Sequence, residues 1–300
     1  MSVVEHLEVA DTAEPVRPRR LTSAAGGVRQ LGFGGVFGIV GLLTIVIASA
    51  VGHYLISVPR TDLNAILQSP SLAHPLGTDF TGRDNLVLVI RGGWDMLELA
   101  FVAGLLMSAI ALAFGLLGPF AGGVVDRIVV GVTDLWLTVP RFILLLVVAS
   151  LYRVSSTFAL AALIAIFGRP YLARQIRAQA LSVRRREHVE AARLLQLRTG
   201  HIVLRYLAPA IAPFVVISTI TGMTAAIYQQ VILAFFGLVP LTDNWGVLFS
   251  VAYGQNAIYL PAAAWSMFAP IAAICLLQLC LVLTSRSLEG LFDPRLRARR

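Results

Sequence analysis

Leu31–Ile56, LGFGGVFGIVGLLTIVIASAVGHYLI, holds 26 residues without one Asp, Glu, Lys or Arg. A helix needs about 20 such residues to cross the roughly 30 Å hydrocarbon layer of a bilayer. This stretch is therefore read as a membrane span, and it sets the terms for the rest of the chain. It lies too far from Met1, and is too long, to be the apolar core of a cleaved secretory signal. Residues 1–30 before it are polar, with Glu5, Glu8, Asp11 and Glu14 followed by Arg17, Arg19, Arg20 and Arg29, and are expected to form a disordered cytoplasmic tail.

Composition agrees with the span. The 300 residues are 57% hydrophobic and 13% charged, against roughly a quarter charged in soluble domains. Mean hydropathy is +0.80. Further apolar windows predict spans at about 95–118, 128–151 (interrupted by Pro140), 157–172, 209–237 and 263–284. The expected fold is an all-α integral membrane bundle of six transmembrane helices, with a membrane domain over 31–285 and a cytoplasmic tail over 286–300.

All 24 basic residues are arginine, and the net charge is +8. With six spans both termini share one side. Placing the tails, 119–127 and 168–206 together collects nineteen arginines, whereas Arg60, Arg83, Arg91 and Arg153 fall opposite. Arginine excess marks the cytoplasmic side, so both termini are expected there. The basic excess then orients a bundle and meets lipid headgroups; it does not indicate nucleic acid. The missing lysine removes an orthodox P-loop and every lysine nucleophile. Cys275 and Cys280 project about 140° apart on a helix and cannot meet.

Within the spans a few residues depart from plain lipid-facing chemistry. Gly34, Gly38 and Gly41, and Gly104 with Ser108, allow helices to approach closely, within one subunit or between two. Asp134 and Arg141 are ionisable groups in an apparent span, which points to function because lipid penalises them. Seven residues apart on one helix they would share a face. The fifth span carries Ser218, Thr219, Thr221, Thr224, Tyr228, Gln229 and Gln230. Threonine hydroxyls can bond the preceding turn, but adjacent glutamines need partners or water. Asp134, Arg141, Tyr228, Gln229 and Gln230 are accordingly the candidate pathway residues.

The long polar stretch 173–206 includes SVRRREHVEAARLLQLRTG. Ser182 is a possible N-cap for an amphipathic helix from about Val183, which Thr199-Gly200 would end. Such a helix docks on the bilayer surface or on another protein. Glu187, His188 and Glu190 do not have the spacing of a zinc motif, and no metal site or catalytic constellation is expected.

Two patterns carry a resemblance. Glu190-Ala191-Ala192, with Gln196 in a glycine position and Pro209 seventeen residues after Ala192, is similar to the EAA signature of ABC-importer permeases. His74-Pro75-Leu76-Gly77-Thr78-Asp79, then Gly82-Arg83-Asp84, resembles the signature of dipeptide, oligopeptide and nickel importer permeases, specifically their second permease subunit. Gly122-Gly123-x-x-Asp126, Asp134 with Pro140, Phe235-x-Gly237-Leu238, Trp245-Gly246 and Asp293-Pro294-Arg295 fall where that class has similar residues. Departures are Gln196, Tyr206, Ala208, Ala210, Gln230 and Ala234.

The resemblance implies a type I importer permease in a prokaryotic inner or plasma membrane. Glu190, Ala191, Ala192, Gln196 and Pro209 would form the coupling segment to a cytosolic ATPase. His74, Gly77, Asp79, Arg83, Asp84 and Trp245 would lie on the external, binding-protein side. It further implies a second similar permease, two ATPase subunits that bind ATP and Mg, and an extracytoplasmic solute-binding protein, with no cofactor on this chain. The implied cargo is a peptide, with nickel or another small solute as the alternative. A secondary carrier is the rival class, but it would show internal repeats, and none is evident.

Overall fold

The computed structural model describes residues 32–152, 156–168, 170–184, 208–240 and 243–292, with positions 154, 189, 195, 201 and 205 between them. Nine α-helices occupy these residues: α1 Gly32–Leu55, α2 Asn85–Ala121, α3 Gly123–Thr138, α4 Arg141–Tyr152, α5 Thr157–Gly168, α6 Pro170–Arg184, α7 Ala208–Phe235, α8 Trp245–Gly254 and α9 Ala264–Phe292. Four of them (α1, α2, α7 and α9) are long and apolar enough to cross a membrane, and two bent pairs bring the number of spans to as many as six.

The central element is α2, which packs against α1, α5, α6 and α7. It begins where Asp84 accepts hydrogen bonds from the amides of Leu86 and Val87, a side-chain cap on otherwise unpaired donors. Its buried residues Met96, Ala100, Ala103 and Met107 recur at helical spacing and meet Leu160 and Ile164 of α5, Ile227 of α7 and Leu277 of α9. Phe33, Phe37, Val40, Leu43 and Ile47 on α1 are exposed, as a helix facing lipid requires.

Small residues set the helix spacing inside this chain. A Cβ on Gly104 would lie 2.8 Å from the Thr219 carbonyl and 2.9 Å from the Met223 amide on α7. The Thr219 hydroxyl donates to Ser108 at 3.0 Å beside this contact. A Cβ on Gly38 would lie 2.8 Å from Leu283 Cβ and 2.9 Å from the Thr284 amide on α9. Both glycine stretches therefore serve packing within the subunit. With no hydrophobic drive between helices in lipid, close backbone approach is what holds them.

The structure corrects several sequence-based boundaries. The expected span 128–151 is two helices, α3 and α4, that meet at 84°. Pro140 supplies no N–H, and its ring pushes Val139 out of the helical region to φ −82, ψ 136. Asp134 and Arg141 consequently lie on either side of a bend, not along one face. The span expected at 157–172 ends at Gly168, and α6 starts at Pro170 set at 64° to it. Ser182 lies inside α6 instead of capping a later helix. The buried series Leu172, Ala173, Ile176, Ala180 and Val183 keeps α6 helical against α2. The helix of the second expected span starts ten residues before it, at Asn85, and α8 lies between the windows 209–237 and 263–284.

Gly104→Leu is expected to destabilise the bundle, because the atoms it would strike are backbone, and overpacking costs about 1–3 kcal/mol. A lowered thermal unfolding midpoint in detergent, with Gly131→Leu as the control at an open position, checks this.

Candidate functional site: a cavity, a clasp and a knotted loop

The bend between α3 and α4 opens a cavity of about 680 Å³. Arg141, Phe142, Gly168, Thr224, Tyr228 and Gln229 are among its lining residues. Three of the five expected pathway residues thus meet in one space. Broken helix backbone is tolerated at membrane depth only where it is buried in protein or lines a water-filled cavity. Arg141 Nη1 donates to the Gly168 carbonyl at 2.8 Å, so it links the break after α3 to the break after α5. The Gln229 Oε1 atom is buried and has no hydrogen-bond partner among the described residues.

Gln230 does not belong to the cavity. It is fully buried; its Nε2 donates to the Met96 carbonyl at 3.3 Å and its Oε1 accepts from Asn244 Nδ2 at 3.1 Å. Asn244 in turn caps α8 by accepting from the Gly246 amide at 2.9 Å. Successive helix residues turn by about 100°, which carries Gln230 off the face shared by Gln229 and into the α2–α7–α8 junction. Adjacent glutamines thus serve opposite purposes, and the sequence has no signal that separates them.

Asp134 is also absent from the cavity lining. Its carboxylate pairs with Arg174 of α6, and both side chains are about half exposed, at 52% and 47%. Eight residues earlier on α3, Asp126 receives Arg177 Nε at 3.0 Å and Nη2 at 2.7 Å, a two-pronged contact. Forked guanidinium–carboxylate pairs fix geometry as well as charge. The two pairs form a clasp between α3 and α6. Its partners, 40 and 51 residues apart in the chain, could not be matched from spacing alone.

The segment 57–84 is a knot of internal bonds. Asp79 accepts from the Thr81 and Arg83 amides at 2.8 Å each, from the Thr81 hydroxyl at 2.7 Å and from Arg83 Nε at 2.9 Å. Gly77 sits at φ +65, where a Cβ would collide with the Gln68 carbonyl; glycine alone suits this turn. His74 Nδ1 lies 2.8 Å from Asp84 Oδ2, while Asp84 Oδ1 caps α2. Arg83 reaches Asp243 at 3.8 Å. The buried Trp245 donates its indole N–H to the Val89 carbonyl. Of the six residues expected on the external side, His74 pairs with Asp84 and Asp79 with Arg83, while Trp245 is tied to the start of α2. Arg91, which the sequence reading passed over, donates from Nη1 to the carbonyls of Gly52 and His53 at 3.3 Å each and to that of Ile56, so it caps the C-terminal end of α1.

Of the expected coupling residues, Pro209 stands in the first turn of α7, while Glu190, Ala191, Ala192 and Gln196 lie outside the described residues. Among the described residues no three His, Cys, Asp or Glu side chains are grouped as metal ligands.

Several apolar spans, two of them broken around an open cleft, define a multi-pass membrane protein. The chain belongs to the family of binding-protein-dependent transport system inner membrane components, which matches residues 104–298. It is 31% identical over 242 residues to the oligopeptide transport system permease protein OppC of Mycobacterium tuberculosis, covering 80% of this chain and 82% of that one. It is 30% identical over 277 residues to the dipeptide transport system permease protein DppC of Haemophilus influenzae, covering 88% and 91%. The all-helical fold, the inner-membrane location and the permease class expected from the sequence are borne out.

Gln230→Leu is expected to cost about 1–3 kcal/mol by stranding a buried amide and a carbonyl, whereas Gln229→Leu should leave the unfolding midpoint nearly unchanged. Thermal melts of the two variants in detergent compare them. For the clasp, a double-mutant cycle with Asp126→Asn and Arg177→Gln should return a coupling energy of roughly 0.5–3 kcal/mol, measured from the same melts.

Proposed function

We propose that this chain is the second permease subunit of an ATP-binding-cassette importer, forming half of a translocation pathway for peptides. The observation that carries this reading is family membership over most of the chain together with the relatives' names, which are those of oligopeptide and dipeptide permeases. In it, the membrane domain spans 31–285, both termini are cytoplasmic, and the segment 173–206 faces the cytosol. The distribution of arginines supports that orientation. A second, homologous permease completes the pathway, and a solute-binding protein delivers cargo on the external side to the region of the 57–84 segment and Trp245.

ATP hydrolysis belongs to two partner ATPase subunits, which hold ATP and Mg. Glu190, Ala191 and Ala192 dock on them: the alanines leave room for close approach, and the carboxylate meets a basic partner. Gln196 and Pro209 complete that segment. The force enters through α6, which the coupling segment directly continues, and passes to α3 through Arg177–Asp126 and Arg174–Asp134. From α3 it reaches the bend at Pro140 and hence the cavity, so that closure of the ATPases changes the cavity's access.

Gentle purification through this chain, followed by native mass spectrometry, is expected to recover a second permease and two ATPases. Glu190→Arg is expected to abolish ATP-driven peptide uptake in proteoliposomes while the chain still inserts. An assembly without ATPases, or full uptake by the variant, sinks the importer reading.

A further inference from the structure

Arg141 carries an unneutralised charge at the bend of a membrane span. Among the described residues it makes no ion pair, and its one hydrogen bond, to the Gly168 carbonyl, leaves most of its five N–H donors unused. The nearest acid in the chain direction, Asp134, is engaged by Arg174. No acidic side chain lines the 680 Å³ cavity into which Arg141 opens. A cation in lipid is expensive unless it faces water or an anion, so the charge is held for something that enters the cavity.

The rest of the lining suits an extended polar molecule with variable side chains. The exposed Tyr228 and, beside it, Thr224 offer hydroxyls. Leu137, Val139, Leu145 and Phe167 supply apolar walls without a shaped pocket. The volume lies within the roughly 300–1,000 Å³ usual for small-molecule sites. The guanidinium is planar and forked, the geometry that matches a carboxylate in a two-pronged contact. Its bond to Gly168 sets its position before any ligand arrives, which lowers the cost of binding.

We propose that Arg141 is a carboxylate-binding station in the cavity. It engages the C-terminal carboxylate of a peptide in transit, while the exposed Tyr228 hydroxyl accepts a hydrogen bond from an N–H of that peptide. The inference rests on the peptide-importer reading. Because the station lies at the Pro140 bend, a change of that bend that shifts α4 against α7 alters the distance between Arg141 and Tyr228, and this releases the ligand in the course of the transport cycle.

The test uses the complete transporter, assembled with its partner subunits and solute-binding protein in proteoliposomes. Uptake of tri-alanine and of tri-alanine amide is measured for wild type, Arg141→Gln and Arg141→Lys. Loss of a charge-assisted contact should lower tri-alanine uptake by Arg141→Gln about tenfold or more. Arg141→Lys, which keeps the charge but not the fork, should recover part of it. Where wild type carries the amide, Arg141→Gln should carry it at the wild-type rate; where it does not, the Gln–Lys comparison decides alone. Binding-protein-stimulated ATP hydrolysis should persist in both variants, since Arg141 is not among the residues proposed to dock on the ATPases. Unchanged tri-alanine uptake by Arg141→Gln overturns the station, as does an equal loss in Gln and Lys variants. A wild-type assembly that hydrolyses ATP but accumulates no peptide overturns the peptide reading, and the station with it.

Discussion

The whole structure depends on satisfying polar groups where no water competes for them. A continuous helix does this by itself, which is why α1, α2, α7 and α9 can be long and apolar nearly all round. At Pro140 and at Gly168 the continuous ladder stops. The carbonyl at the end of α5 then needs a donor, and Arg141 at the start of α4 provides it at 2.8 Å. Two breaks are thereby stitched by one side chain, and the space between them becomes the cavity. The same rule explains Arg91, whose guanidinium takes up carbonyls at the end of α1, and Gln230, whose amide is shared between Met96 and Asn244.

Much of this was legible because hydrophobic length is a strong signal. The six apolar windows correspond to four long helices and two bent pairs. Pro140 announced an interruption, but proline does not reveal the size of a bend; 84° follows from how α3 and α4 pack on their neighbours. The early start of α2 was hidden by Arg91, which fell before the expected span although its helix is capped by Asp84. Amphipathic α6 was hidden for a similar reason: its arginines placed it in the long polar stretch 173–206, while Ile176 and Val183 bury one face.

Candidate site residues sorted less cleanly, because a linear pattern carries no information on the partner across the bundle. Arg141, Tyr228 and Gln229 do converge. Gln230 was indistinguishable from Gln229 until α8 placed Asn244 against it, and Asp134 was indistinguishable from a pathway residue until α6 placed Arg174 beside it. The His74–Asp84 stretch stood out as a motif, yet its polar atoms are largely spent on one another. Such a loop presents a shape held stiff from within, which suits a surface on which another protein must land repeatedly.

The contact between Gly38 and Leu283 has a bearing on how the chain is made. α1 is threaded into the bilayer early, but the backbone surface it is shaped to meet lies on α9. Until α9 leaves the ribosome, the main support for α1 among the described residues is α2, with Gly52 against Ile90 and Arg91 at its end. Long-range contacts form late in folding. Biogenesis thus finishes with a closing step in which one of the last helices synthesised seats against the earliest described one. A ribosome stalled before α9 would leave a groove on α1 open to membrane quality control.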